Sequence, residues 1–219
     1  KGQINYVVWS EVFICPHCGN EFSYWDVAID LENKKVKEQF HCNNCFSVLK
    51  KNDIDRVMET KYHNDLESVY EQAKFIPVLI NYSKGNKRYE KYPDEKDLLI
   101  FKKVEEYSNS KSYPKNEIIS GDEIGRLKTL NFNYAFQLMS LKNNIIIGEL
   151  YDKILSSPYK NLGLYVLTAS IPNLTWLYRW RMNKKGGSTS GTYYICSTPQ
   201  ENNPFNQINR KLRDILNIK

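Results

Sequence analysis

The sequence predicts an α+β protein: an N-terminal zinc ribbon of short antiparallel strands, then a mixed α/β region with a helical C-terminal half. Three observations predict it. Two cysteine knuckles, Cys15-Pro16-His17-Cys18 and Cys42-Asn43-Asn44-Cys45, stand near the start. Short alternating apolar segments surround them. Beyond residue 140, apolar residues recur at helical spacing behind capping residues. The expected organisation is a ribbon over residues 1–62 and a second region over residues 63–219.

The knuckles carry the strongest chemical signal. Each is a C-x2-C pair, and residues 19–41 separate them. That spacing places four thiolates where a tetrahedral zinc ion needs them, at roughly 2.3 Å each. Gly19 fits the tight turn after Cys18. The competing reading is reduced or disulfide-paired cysteines without metal. Cys15, Cys18, Cys42 and Cys45 are the expected ligands, with His17 and His41 as neighbours able to substitute. Four thiolates leave no open position for water, so such a site is structural and not catalytic.

In order along the chain, Tyr6–Trp9 and Glu11–Ile14 read as strands leading into the first knuckle, and Phe22–Ile29 leads out of it. Residues 35–40 alternate and deliver the second knuckle, with a hairpin tip at Asn33. Phe46–Leu49 leaves that knuckle, and Arg56–His63 adds a strand. Phe75–Tyr82 is a strand in which Pro77 marks an edge or a bulge. Ser83–Lys87 turns, and Arg88–Lys91 returns as a hairpin. Pro93-Asp94-Glu95 opens a helix with Leu98, Phe101 and Val104 on one face. Residues 108–133 have no clear period and read as a long loop.

Ser140 caps a helix to about Ser157, with Leu141, Ile145, Leu150, Ile154 and Leu155 at helical spacing. Pro158 separates it from a second apolar segment, Leu162–Ile171. A basic, glycine-rich loop over residues 182–191 precedes a strand at Thr192–Cys196. Asn203-Pro204 opens a terminal helix, Asn as cap and Pro at the first position.

Composition limits the function classes. Net charge is +6 in 219 residues, mildly basic, which permits nucleic-acid binding without requiring it. No run of 18 apolar residues is present, nor a signal-peptide pattern. Five cysteines fit a reducing, cytoplasmic setting, four on metal and Cys196 as a small buried hydrophobe. The chain opens Lys1-Gly2-Gln3 without an initiator Met, which suggests a piece of a longer protein.

Tyr178-Arg179-Trp180-Arg181, followed by Lys184, Lys185, Thr189 and Ser190 in the glycine-rich loop, is the second signal. Cations neutralise phosphates, hydroxyls and backbone N–H groups add neutral contacts, and aromatics stack on bases. A solvated basic loop beside core aromatics is the equal alternative. Arg126 and Lys128 give a weaker signal that reads on pattern alone as ordinary surface charge, and the cluster Lys84, Lys87, Arg88 and Lys91 is weaker again. The loop does not match GxxxxGK[ST]. Asp94–Asp97 is explained by a helix start, and Asp122-Glu123 is a lone acidic pair. There is no GxSxG and no HExxH, so nothing argues for catalysis by this segment itself.

The order of these features resembles the central insertion of a group of bacterial amino-methylating DNA methyltransferases of restriction–modification systems. In that group a zinc ribbon and a target-recognition segment interrupt the catalytic core. The matching pieces are residues 6–19, 40–45, Lys91-Tyr92-Pro93-Asp94 and Gly121–Arg126, then Leu150–Ile154, Pro172–Thr175, Arg179-Trp180-Arg181 and Ser190–Ile195. The resemblance covers most of the chain. It implies a parent enzyme that transfers methyl from S-adenosylmethionine to an exocyclic amine of adenine or cytosine. The Asp/Asn-Pro-Pro-Tyr/Phe and glycine-rich cofactor motifs of such enzymes are absent from these residues. The implied role is therefore recognition: gripping double-stranded DNA while a core in the same parent chain flips the base. Arg126, Arg179, Arg181, Lys184 and Lys185 are the expected contacts, helped by Thr189 and Ser190. The alternative is a zinc-ribbon protein-interaction or assembly module that does not touch DNA.

Overall fold

The computed structural model describes residues 2–107, 113–183, 186–188 and 193–217. It is an α+β structure built on one long strand, β1 (Gln3–Ile14). The two strands expected at Tyr6–Trp9 and Glu11–Ile14 are one, because Ser10 between them is fully buried and continues the run. Its hydroxyl accepts from the Trp25 amide.

The far end of β1 belongs to the knuckle region. β2 (Glu21–Ser23) pairs antiparallel with Val12–Ile14. The segment expected to continue as a strand to Ile29 turns helical instead, as α1 (Tyr24–Ala28). Ser23 caps it by accepting from the Asp26 amide, and a cap of this kind outweighs the β preference of Tyr24, Trp25 and Val27. β3 (Ile29–Asp30) and β4 (Lys35–Val36) form the hairpin whose tip holds Asn33. β5 (Gln39–His41) and β6 (Val48–Lys50) flank the second knuckle as a hairpin. β7 (Asp55–Arg56) returns to the end of β1. Phe13, Phe22, Tyr24, Phe40, Leu49 and Ile54 fill this region's own core.

β8 (Met58–His63) and β9 (Ser68–Ala73) make a further hairpin, and the boundary expected near residue 62 falls inside β8. β10 (Phe75–Lys84) pairs along the first part of β1, and β11 (Lys87–Lys91) pairs with β10. Pro77 sits at a register shift: Val8 faces Leu79 but Trp9 faces Pro77, leaving Val78 as the extra residue. The ladder of β11 covers only Ile80–Lys84, so it asks no amide of Pro77. Asp94 caps α2 (Glu95–Glu106) in a box with Asp97. Phe101 and Val104 are half-buried, whereas Leu98 lies largely exposed beside Leu99 and Ile100.

The expected long loop contains a 3-10 turn at Asp122–Ile124 and the single helical turn α3 (Gly125–Lys128). Ser140 caps α4 (Leu141–Leu155), as expected, but the buried face holds Asn143, Asn144, Ile147 and Gly148. Leu141 and Leu155 are exposed. Backbone carbonyls explain the rotation: Asn143 Nδ2 donates to Leu174 O, and Asn144 Nδ2 to Phe136 O at 2.7 Å. Burial of these amides is tolerated because those donors are matched. α5 (Lys160–Ser170) packs on α4.

Of the strand expected at Thr192–Cys196, Thr192 lies outside the described residues and residues 193–196 form no strand; the ladder forms further along, at β12 (Gln200–Asn202), the other neighbour of β1. Ser197 and Pro199 extend the contact by accepting from the Glu11 and Trp9 amides. Polar Gln-Glu-Asn hides this strand from an apolar-pattern reading, yet all three side chains are buried and hydrogen-bonded. α6 (Pro204–Leu216) follows with Asn203 as cap and Pro at its first turn. The sheet order is β11-β10-β1-β12. Among the described residues, no helix is long and apolar enough to cross a membrane.

Candidate metal centre and nucleic-acid interface

The two knuckles adopt the same backbone path. Gly19 N donates to Cys15 O, and Phe46 N donates to Cys42 O. Cys15 N donates to Asn20 O, and Cys42 N to Ser47 O. The residue after each second cysteine has positive φ: Gly19 at 72° and Phe46 at 59°. Glycine suits that position, whereas a bulky side chain is strained there. Phe46 nevertheless holds it, with its side chain 75% exposed at the knuckle tip.

This repeated geometry brings Cys15, Cys18, Cys42 and Cys45 together, all four sulfurs lying within 4.8 Å of one another. Cys15 Sγ and Cys45 Sγ are 3.7 Å apart, and Cys18 Sγ and Cys42 Sγ 3.8 Å. Those are edges of a tetrahedron whose centre suits a metal ion with metal–sulfur bonds near 2.3 Å. His17 and His41 are not in the cluster. Hydrogen bonds to Ser47, side chain then backbone, lower the Cys45 thiol to about 6. The Asn20 amide and then Asn44 lower Cys18, while burial foremost pushes Cys15 up to about 11. The four residues can hold one metal ion.

A second cluster lies where the knuckle region meets the C-terminal half. Glu11, 1% exposed, accepts from Arg56 Nε at 2.6 Å and from Ser197 Oγ. Around it stand two tyrosines and four cations. Arg126, on α3, places its guanidinium carbon 5.5 Å from the centre of the Tyr194 ring. Arg179 does so at 5.7 Å. Lys51 lies over the Tyr24 ring at 5.0 Å, and Arg56 over the Phe13 ring at 5.8 Å. Such contacts attract a cation to the ring face. Burial raises the Tyr194 phenol, helped by Cys196 and Glu11, and opposed by Arg179 and Arg126. Burial lowers Lys51, opposed by Glu11.

The sequence-predicted contacts are distributed as follows. Arg126 and Arg179 meet on Tyr194, although they stand 53 positions apart (179 − 126). Arg179 also bridges Gly187 and Pro199, and its Nε is buried without a hydrogen-bond partner. Arg181 is exposed on the same segment, next to Trp180, which packs on Trp25 at 4.8 Å. Lys184, Lys185, Thr189 and Ser190 lie outside the described residues. Sequence reading misses Lys51, Arg56, Glu11 and Tyr194, because single charged residues in short strands carry no local pattern. Cys196 neighbours this cluster; it is partly and not fully buried, and that burial raises its thiol pKa.

No family model matches this chain, and no curated protein or solved structure proves similar to it.

Proposed function

We propose that this chain is the DNA-binding, target-recognition segment of a site-specific DNA methyltransferase. The parent enzyme would methylate an exocyclic amine of adenine or cytosine, with S-adenosylmethionine bound by a core outside these residues. The observation that carries the reading is the convergence of Arg126 and Arg179 on one tyrosine, beside Lys51 and Arg56 from the knuckle region. A duplex surface carries closely spaced phosphates, and a cluster of arginines and lysines drawn from distant segments matches it. Exposed Arg181 extends the basic face. The resemblance of the motif order to the methyltransferase insertions supplies the enzyme class.

The metal at the four cysteines is zinc in this reading, because four thiolates at tetrahedral spacing favour it. Zinc so held completes its coordination with sulfur. Its contribution is to fix the knuckles, and with them Lys51 and Arg56, against the C-terminal half.

A salt titration of duplex-DNA binding by the zinc-loaded chain tests the reading, using random-sequence duplexes. The expected result is a steep loss of affinity with salt. The double variant Arg126→Ala, Arg181→Ala should lower the logarithmic slope by about two, roughly one for each phosphate no longer neutralised. An unchanged slope removes these arginines from the interface.

One observation favours a second reading, an assembly module. Leu98, Leu99 and Ile100 are about half exposed in a row on α2. No DNA binding at low salt, together with concentration-dependent association abolished by Leu99→Glu, would favour that module.

A further inference from the structure

A cavity of about 340 Å³ lies between β1, the β8–β9 hairpin, α2 and the start of α4. It shares no residue with the cation cluster around Tyr194. Ligand sites commonly run from about 300 to 1,000 Å³, so this one suits a small molecule of nucleoside size.

Its walls are two groups of rings. Trp9, Phe75, Phe101 and Trp176 form one. Phe75 and Trp176 are stacked at 5.7 Å, and Trp9 meets Trp176 at 5.7 Å and Phe101 at 5.3 Å. His63, Tyr70, Tyr113 and Phe136 form the other, with Phe136 4.5 Å from His63 and 5.3 Å from Tyr70. Rings of this density on both sides favour a flat, polarisable guest.

The polar lining sets its charge and hydrogen-bonding character. Glu59, Asp65, Glu105 and Glu201 line the cavity against Lys61 and Lys142. Counting Lys115, which pairs with Asp65, four carboxylates face three ammonium groups. Burial keeps His63 toward its neutral form and so adds no cation. Glu201, 2% exposed, is already engaged by Trp9 Nε1, Ser140 Oγ and Lys142 Nζ, each at 2.7 Å. Asn144 is also buried and lines the cavity, and its Oδ1 has no hydrogen-bond partner. That oxygen is closed off from solvent, so the carboxylates of Glu59 and Glu105, both paired with Lys61, are the acceptors a guest can meet. Each of the four carboxylates has a lysine partner, and their surplus of one over the ammonium groups disfavours phosphate and leaves carboxylate oxygens for an amino group.

We infer that this cavity binds a planar, amino-substituted heteroaromatic ligand, such as adenosine or cytidine, with no phosphate inside the pocket. The ligand is either a free nucleoside or an unpaired base carried on a strand whose phosphates stay outside.

The test uses the full zinc-loaded chain, since Trp9 and Trp176 report on the cavity by their fluorescence. Adenosine and cytidine are titrated by fluorescence and calorimetry, beside adenosine monophosphate and a single-stranded deoxyadenosine oligomer. Adenosine is expected to bind saturably with a Kd on the order of 100 μM. The monophosphate should bind about tenfold more weakly, because its charge enters an acidic lining. Val104→Phe, on the half-exposed face of α2, should narrow the cavity and weaken adenosine about tenfold with an unchanged melting temperature. If that variant melts early, Phe101→Leu replaces it and should weaken stacking severalfold. Competition of the oligomer with adenosine identifies a strand base as the source. A lack of competition identifies a free nucleoside, and both support the site. No saturable signal from either nucleoside to about 10 mM overturns it, as does a monophosphate that binds equally well.

Discussion

Glu11 is the residue on which the two halves of the molecule meet. It is buried on β1, yet its carboxylate is matched by Arg56 from β7 and Ser197 from the segment before β12. Removing one partner of a buried ion pair strands the other, which typically costs about 3–5 kcal/mol. Arg56 is a third exposed, so Glu11→Ala should fall at the low end, about 3 kcal/mol, read from urea unfolding midpoints. Glu11→Gln should cost less, because an amide oxygen still accepts from Arg56. Equal losses for both variants would mean that packing, and not charge, holds the junction. None of this is legible in the sequence. The partners of Glu11 stand 45 and 186 residues away, and a lone Glu inside an apolar strand predicts only its own burial. The knuckles are the opposite case. Their ligands are local pairs, so C-x2-C spacing announces them, and the sulfur cluster forms from the four expected residues.

At the level of elements, caps are readable and faces are not. Ser140, Asp94 and Asn203 each end an irregular segment and begin a helix, as their positions predict. Asn203 does more than cap. Its Oδ1 accepts from the Phe205 and Asn206 amides, while its Nδ2 donates to Ile4 O at 2.7 Å. Asn203→Ala should therefore cost about 2 kcal/mol, a cap and a hydrogen bond together. Asn203→Asp keeps the cap and loses the donor, so it should retain the helix but not the full stability. Equal stability of the Asp variant and the parent, by thermal unfolding, would show that the Ile4 bond adds nothing. The elements that pattern misreads share a cause. α4 buries two asparagines whose Nδ2 donors meet backbone carbonyls, and β12 buries Gln, Glu and Asn that bond to neighbouring groups. Apolar periodicity sees such faces as solvent. α1 differs for another reason: Ser23 supplies a cap that side-chain propensities do not advertise.

For the molecule as a whole, β1 is the common member. Its first part carries β10 and β12, and its last residues carry β2 and β7 and lead directly to Cys15. A metal held at the knuckles is thus coupled through one continuous backbone to the larger sheet. Chelation of the metal should lower the unfolding temperature of the entire chain in a single transition, because metal binding and folding of such a site are linked. Circular dichroism and tryptophan fluorescence of Trp176, which lies outside the knuckle region, should shift together. A fluorescence transition unmoved by the chelator would show two independent units. The α+β class and the cysteine cluster follow from pattern, whereas this sharing of a strand follows only from long-range pairing.

The pairing of β1 with β12 has a consequence for how the chain is made. Strand residues 6–8 leave the ribosome well before their partners 200–202, which follow only after the whole intervening chain. Synthesis runs at about 5–20 residues per second, so one flank of β1 waits for many seconds with its amides and carbonyls unclaimed. β10 can occupy the other flank much sooner. During that interval Val7 and Val8, both destined for full burial, sit on an open edge that any similar strand can join. The nascent chain is therefore most vulnerable to aggregation before β12 emerges. Chaperone demand should track the time between β10 and β12 and not the stability of the finished fold.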